Sequence, residues 1–491
     1  MLGILLLLVL LIIVCAVGAV WAWERMLLVH RTAHVPTLPE VLPVIGHAHK
    51  LRGDQTQIWE YLKEISLITN KNGGLSKLYL GPTPCILVTD PELALPLMNA
   101  SLDKFYVYNF GSSWLGEGLI TGSGPTWKRH RKLLMPAFNQ HILNGFLDIF
   151  NHQSSMLVKA LSPQVGKGEF EHWPYLSVNA LETICQTALG LPDTEDESLI
   201  NEKYSDAMEN FLDNVVHRIM TIWLHLEFVY KWSPTKDSEM KNVAVLKSLS
   251  TKVLNKRKDQ TNDADVSDTK FKAFLEILLE QGKSGNLSDQ EIREEVDTII
   301  AAGHDTSSTA LLYTLILLGS HPEAQERAYE EIKEVFGDSD RDVQKEDLPK
   351  LIYLEAVIKE SLRLYPTVPL VAREVDTDVN VENLNLPKGS TIVLSIWGMQ
   401  RGAAWGAAAG DYRPARWLDP AALPENPNAF AAFSIGKRSC IGKTYAMMSM
   451  KTTLVHLLRR YRIRADHTKL VCKFGFVLKP VAGHSISIEL R

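Results

Sequence analysis

The segment AFSIGKRSCIGK sets a cysteine at a spacing that core packing does not require. Phe433, Gly436, Arg438, Cys440 and Gly442 form the pattern F-x-x-G-x-R-x-C-x-G. A cysteine taken alone is most often a small buried hydrophobe; five matched positions point instead to chemistry at the sulfur. A thiolate that binds iron needs backbone N–H donors aimed at it, so the chain must turn tightly, which Gly436 permits. A helix starting after Cys440 would add its positive end and lower the thiol pKa. Phe433 would shield the sulfur from water, Arg438 would meet a carboxylate of the cofactor, and Gly442 would leave room for a flat macrocycle. The segment therefore predicts a haem held by the Cys440 thiolate.

The elements that must position such a centre are mostly helices. LSDQEIREEVDTIIAAGHDTSSTALLYTLILLGSHP opens on a capping box, Ser288 with Glu291, and stays helix-compatible to Gly319. At about 30 residues it far exceeds the mean helix of roughly 11–12, so it should cross the whole body. PEAQERAYEEIKEVFG ends at Gly337, and LPKLIYLEAVIKESLRLYP ends before Pro366. LSKLYLGPTPCILVTDPE reads as two short strands around a turn at 81–84, with a helix starting at Asp90 and Pro91. Further strand-like pieces fall at 379–381, 390–397, 475–478 and 485–490. Strands and helices do not alternate regularly, so a mostly α fold with a small β region is expected rather than a doubly wound sheet. The polar run 255–269 reads as an exposed loop.

Composition narrows the class. With 46% hydrophobic residues, 22% charged residues and a formal net charge of -5 over 491 residues, nothing suggests nucleic-acid binding. Cys15, Cys85, Cys185, Cys440 and Cys472 are scattered and form no C-x-x-C pair, which argues against a disulfide framework and a zinc cluster. Residues 1–23 carry no charge, and a bilayer core needs about 20 apolar residues. No basic residue precedes the run, and it outlasts the roughly 7–15 apolar residues of a cleaved signal, so an uncleaved transmembrane signal anchor is expected. Arg25 and Arg31 follow it, which keeps the remainder in the cytoplasm. Residues 24–46, with Pro36, Pro39, Pro43 and Gly46, read as a basic, proline-rich stalk, and 47–491 as the catalytic domain.

In the order of its motifs the chain resembles the cytochrome P-450 superfamily of haem-thiolate monooxygenases, over nearly its whole length after the anchor. Glu360 and Arg363 in KESLRLYP match the family's E-x-x-R pair and share one helix face. Arg416 in YRPARW matches the arginine that joins them, although Ala415 stands where the family usually has an acid. The resemblance implies a structural triad that supports the cysteine loop. GPTWKRHRKLLMPAF resembles the helix that holds the haem propionates, which gives that role to Trp127 and Arg131. In EVDTIIAAGHDTSS the resemblance implies that Gly303 widens the helix into a groove for dioxygen, that Thr306 hydrogen-bonds the bound oxygen, and that Asp305 relays protons. A mid-helix threonine alone usually bonds its own i−4 carbonyl; the cysteine loop tips the reading toward chemistry.

EVDT and GHDT also resemble the fatty-acid omega-hydroxylase branch, which commonly reads E-V-D-T-F-M-F-E-G-H-D-T-T, with a glutamate that esterifies a haem methyl. Ala301 and Ala302 replace the Phe and Glu. A non-covalent haem and a larger space above the iron follow, and omega selectivity is left open. The substrate class implied is an apolar small molecule, fatty-acyl, terpenoid or xenobiotic, facing Ala302, Val368, Leu370, Val371, Phe474 and Phe476. Tyr108, Phe110, Trp114 and Leu119 would either line the entrance or anchor their own loop. The chain has no flavin or nicotinamide motif, so electrons from NADPH would arrive through a diflavin reductase or a small haem electron carrier. Lys128, Arg129, Lys132, Lys437 and Lys443 form the basic docking candidates, and the resemblance places the anchor in the endoplasmic reticulum membrane. Two other readings stay open at this level: a haem-thiolate isomerase or dehydratase, and a non-catalytic haem or lipid-binding protein. Retention of Gly303, Asp305 and Thr306 favours the monooxygenase.

Overall fold

Asp54 caps the first long helix, α1 (Gln55–Lys71), by accepting from the N–H groups of Thr56 and Gln57. The computed structural model describes residues 23, 26–81, 83–190, 202–260, 274–381 and 384–491. After α1 come α2 (Gly124–Leu134), α3 (Trp173–Leu189), α4 (Glu202–Met220), α5 (Asp289–Ser320), α6 (Pro322–Phe336), α7 (Ile352–Leu364) and α8 (Lys443–Arg460). The capping box opens α5 as expected: Ser288 accepts from the Glu291 N–H while the Glu291 carboxylate accepts from the Ser288 N–H. At 32 residues α5 spans the body, and it is buried on most sides along its middle and C-terminal half. Such a helix is stable only when wrapped by others, and α3, α6, α7 and α8 pack on it.

The largest sheet has five strands: β1 (Leu75–Leu80), β2 (Thr83–Val88), β3 (Asp103–Lys104), β4 (Leu370–Glu374) and β5 (Thr391–Ser395). Their order is β1-β2-β5-β4-β3, with β2 and β5 parallel and the other neighbours antiparallel. This register sets Lys104 opposite Arg373. Among the described residues three smaller sheets complete the β region, one of them the pair β6 (Val471–Lys473) and β7 (Lys479–Ala482).

Several expectations are corrected. The strand expected at 475–478 is a tight turn between β6 and β7, where a Cβ on Gly475 would lie 2.6 Å from the Val477 carbonyl oxygen. Its flanks bond outside the sheet, Phe474 N–H to the Gln55 carbonyl and Leu478 N–H to the Thr367 carbonyl. The strand expected over 390–397 ends at Ser395, whose hydroxyl caps a short helix, Ile396–Met399. Of the expected loop, 255–260 belong to the helix Pro234–Gln260, and 261–269 lie outside the described residues. Part of the expected stalk lies along β1: the Leu38 N–H bonds the Lys77 carbonyl, and the Lys77 N–H bonds the Pro36 carbonyl. The expected anchor falls almost wholly outside the described residues, among which no helix is long and apolar enough to cross a membrane.

Candidate functional site

The loop before Cys440 passes through the left-handed region twice, at Ser434 (φ 57°) and Gly436 (φ 75°). Gly436 is required there for contact as well as conformation, because a Cβ would come 2.8 Å from Asn99 Oδ1. That oxygen accepts from the Lys437 N–H at 2.9 Å. The Cys440 N–H closes the loop onto the Phe433 carbonyl at 2.8 Å. Gly442 is the N-cap of α8 and bonds the Cys440 sulfur through its backbone. Desolvation by the surrounding chain pushes the thiol above its ordinary value although the residue itself is exposed, and the Gly442 bond, Arg131 and Lys443 oppose this without outweighing it. The net lowering expected from the helix end is therefore not what the polypeptide alone produces.

A cavity of 540 Å³ has Phe433, Arg438, Cys440 and Gly442 on its wall, together with Ala302, Gly303, Asp305 and Thr306 of α5. Val368, Leu370, Val371, Phe474 and Phe476 line it as well. Of the residues expected at the entrance, Tyr108 reaches the wall. Trp114 is fully buried and packs edge-on against Phe211, ring centres 5.3 Å apart, as part of the core.

Trp127, Arg131 and Gly436 do not reach the wall. Trp127 lies under two guanidinium groups, 4.9 Å from Arg438 and 6.0 Å from Arg131, and Arg131 donates to the Ser439 carbonyl at 2.6 Å. The helix α2 thus grips the cysteine loop directly. Its His130 anchors it in turn, meeting Glu295 of α5 at 2.6 Å.

Lys104 and Arg373 were not singled out by the sequence, yet they join Arg438 on the wall. Burial lowers the pKa of all three, that of Arg438 to about 9; Arg373 lowers Lys104 and Arg438 further, and Arg438 lowers Lys104. Among the described residues, Nε of Arg373 and both Nε and Nη1 of Arg438 have no hydrogen-bond acceptor. Each orphaned buried donor costs about 1–3 kcal/mol unless an anion meets it. The two propionates of a haem are anions of the required kind, so the residues present fit that group.

Glu360 and Arg363 of α7 form a fully buried bidentate pair, with both N···O distances 2.9 Å. Arg416 reaches the same carboxylate at 2.9 Å, as do the Trp417 indole at 3.0 Å and the Arg413 main-chain N–H at 2.9 Å. Ala415 offers no acid, and Nη2 of Arg416 donates to the Ala408 and Asp411 carbonyls instead. Gln400, which is also missing from the sequence reading, links this cluster to the loop. Its amide donates to the Leu362 and Arg363 carbonyls while its oxygen accepts from the Ala431 N–H, each at 3.0 Å.

On α5 the Thr306 hydroxyl donates to the Ala302 carbonyl. Asp305 Oδ1 lies 3.2 Å from Lys479 Nζ. Gly303 lies within this helix and on the cavity wall. The missing Cβ is used by Ile184 of α3, whose Cδ1 would stand 2.6 Å from it. Lys128, Lys132, Lys437 and Lys443 are exposed. Arg129 is less free than expected, since it donates to the Asn286 carbonyl and pairs with Glu291.

The sequence profile of the family described as Cytochrome P450 matches residues 36–484. The chain belongs to the cytochrome P450 family: it is a monooxygenase whose cofactor is a haem ligated by a cysteine thiolate. Among its relatives is Cytochrome P450 4V2 of Homo sapiens, 34% identical over 93% of this chain and 90% of that protein. Cytochrome P450 4c21 of Blattella germanica is 35% identical over 93% of both chains. Cytochrome P450 4c3 of Drosophila melanogaster is 32% identical over 92% of this chain and 89% of that protein.

Proposed function

We propose that this monooxygenase inserts one oxygen atom from O2 into an apolar small molecule held in the 540 Å³ cavity, with Cys440 as the residue whose thiolate would hold the haem iron. The observation that carries the reading is that Cys440, Thr306 and the unpartnered nitrogens of Arg438 and Arg373 belong to one wall. When bound, the haem supplies an iron centre for dioxygen activation. Arg438, Arg373 and Lys104 would hold its carboxylates, and Trp127 and Arg131 brace the cysteine loop. Glu360, Arg363 and Arg416 fix that loop from the other side through Gln400. Thr306 and Asp305 hold and move protons, while the apolar wall excludes water and orients the substrate. The lining supports a fatty-acyl, terpenoid or xenobiotic compound, and Ala302 supports a haem without a covalent ester.

In this reading electrons from NADPH arrive through a diflavin reductase or a small haem carrier that docks on the exposed lysines. Residues 1–23 anchor the chain in the endoplasmic reticulum membrane, with the catalytic domain in the cytoplasm. Phe228 and Trp232, 78% and 77% exposed, support contact with lipid, since aromatic side chains of this kind favour a membrane interface. A carbon-monoxide difference spectrum of the reduced membrane fraction, followed by product analysis against lipids and terpenoids, tests the reading. A spectrum without the strongly red-shifted band would refute Cys440 ligation. A soluble, fully active preparation carrying residues 1–23 would refute the anchor.

A further inference from the structure

The ammonium group of Lys479, at the start of β7, is shared between two carboxylates. Its Nζ lies 3.2 Å from Asp305 Oδ1 on α5, 3.3 Å from Glu209 Oε1 on α4, and 4.7 Å from the centre of the Trp173 ring. The Asp305 side chain is 3% exposed and on the cavity wall, whereas that of Glu209 is 48% exposed. One cation therefore bridges an inner acid and an outer one. The inner attraction acts in a low dielectric and the outer one in a high dielectric, so the inner is the stronger of the two.

Among the described residues the surrounding charges are few. Asp213 of α4 pairs with Lys473 of β6 at 3.3 Å, and His304 of α5 directs Nε2 to Ser177 Oγ at 2.9 Å. Burial raises Asp305 above the usual carboxylate range, with Lys479 opposing that shift and Asp213 adding to it. Burial also acts to lower Lys479, but Asp305 and Glu209 outweigh it and hold the ammonium above its ordinary value. Burial holds His304 down at about 3, with Lys479 acting in the same direction, so it stays neutral beside the pair.

We propose that Lys479 is a positioning residue for the proton route: its ammonium holds Asp305 as a carboxylate on the β7 side, and Glu209 competes for the same ammonium and so sets the strength of that hold. This rests on the reading of Asp305 as a proton carrier. Asp305 must then leave Lys479, or be neutralised on it, before its carboxyl can serve Thr306.

The test is pH-titrated infrared difference spectroscopy of the full-length, haem-loaded ferric protein, with the Asp305→Asn spectrum subtracted to isolate one carboxyl band. Lys479→Met is expected to raise the apparent Asp305 pKa by about 1–3 units, the usual effect of losing an adjacent opposite charge. Lys479→Arg is expected to restore it. Glu209→Gln, at a half-exposed position that tolerates the change, is expected to lower it. No shift in Lys479→Met, or a Glu209→Gln shift in the same direction, overturns the proposal; if Lys479→Met does not fold, the sign of the Glu209→Gln shift decides alone. The ratio of hydrogen peroxide to product is measured on the same variants. Titrations that shift as expected with an unchanged ratio uphold the hold on Asp305 and refute its part in the proton route.

Discussion

The Thr306 hydroxyl donates to the Ala302 carbonyl across one turn of α5, at 2.7 Å. This is the bond a mid-helix threonine makes by default, yet the residue lies on the wall that also contains Cys440. A hydroxyl that donates to its own helix keeps lone pairs free to accept. Thr306→Ala therefore removes a local bond and a cavity hydroxyl together, without disturbing the core. Haem content and substrate binding should stay near native, while product per NADPH falls by up to about 10²-fold as electrons go to hydrogen peroxide. Thr306→Ser should recover most of the loss. An unchanged ratio of product to NADPH would leave Thr306 with a structural part only.

The Cys440 sulfur is held by local backbone, with the Cys440 N–H on the Phe433 carbonyl and Gly442 beside the sulfur. Cys440→Ala should leave this loop closed and remove the thiolate alone. The reduced, carbon-monoxide-bound protein should then lack its strongly red-shifted band completely. Persistence of that band would move the ligand elsewhere.

Burial acts to raise Glu360, but its bonds to Arg363, Arg413 and Arg416 outweigh this and hold the carboxyl below its ordinary value. A depressed folded pKa contributes stability that is fully present above the unfolded value of about 4.3 and is lost as pH falls through the folded value. Glu360→Gln leaves Arg363 and Arg416 buried without their counter-charge, so it should cost about 3–5 kcal/mol at neutral pH. It should also flatten the acid limb of the stability curve. Denaturant unfolding over a pH series reads both effects, and a parallel acid limb in the variant would remove Glu360 from the explanation.

What the sequence made legible was local. Ser288 with Glu291, Asp90 before Pro91, and Gly337 after α6 mark helix ends because a cap is satisfied within a few residues. The cysteine loop was legible for the same reason, since Gly436 and Cys440 are turn chemistry within one segment. The rest depends on register between distant strands and on packing. Lys104 meets Arg373 because β3 pairs with β4, and no spacing in either segment announces that. Gln400 sits in an apolar stretch and gains its role only from α7 folding beside it. Gly303 is on the cavity wall, and its close approach to Ile184 comes from helix packing that no spacing in its own segment announces. The turn at 475–478 carries strand-forming residues, but the Phe474 N–H before it bonds Gln55 and the Leu478 N–H at its end bonds Thr367 instead of a partner strand.

Ala302 is on the cavity wall at the position where the related branch carries its ester-forming glutamate. The native haem should therefore leave the protein completely under acid and organic solvent. Ala302→Glu should retain part of its haem after turnover, detected as a mass increase on a peptide containing position 302. Haem that stays with the native protein through denaturing extraction would contradict the first expectation.

The electron donor leaves a signature in salt dependence. Lys128 and Lys132 on α2, Lys437 in the cysteine loop and Lys443 at the start of α8 are exposed. Arg131 of α2 bonds the Ser439 carbonyl in the cysteine loop, and α8 begins just after that loop, so the four lysines flank one segment. Arg129 drops out of the set because Glu291 already neutralises it. Long-range attraction to an acidic partner raises the encounter rate and weakens as the screening length falls from about 10 Å at 0.1 M salt to about 3 Å at 1 M. Reversing Lys128 and Lys443 to glutamate should slow reductase-supported turnover several-fold at low salt and flatten its decline with salt. Peroxide-driven turnover bypasses the donor and should change little. Lys443 also lies 5.7 Å from the Phe433 ring centre, so Lys443→Gln serves as the control for any local disturbance of the loop. Equal losses in the two assays would mean that the substitutions damage the haem site, and docking through this face would be ruled out.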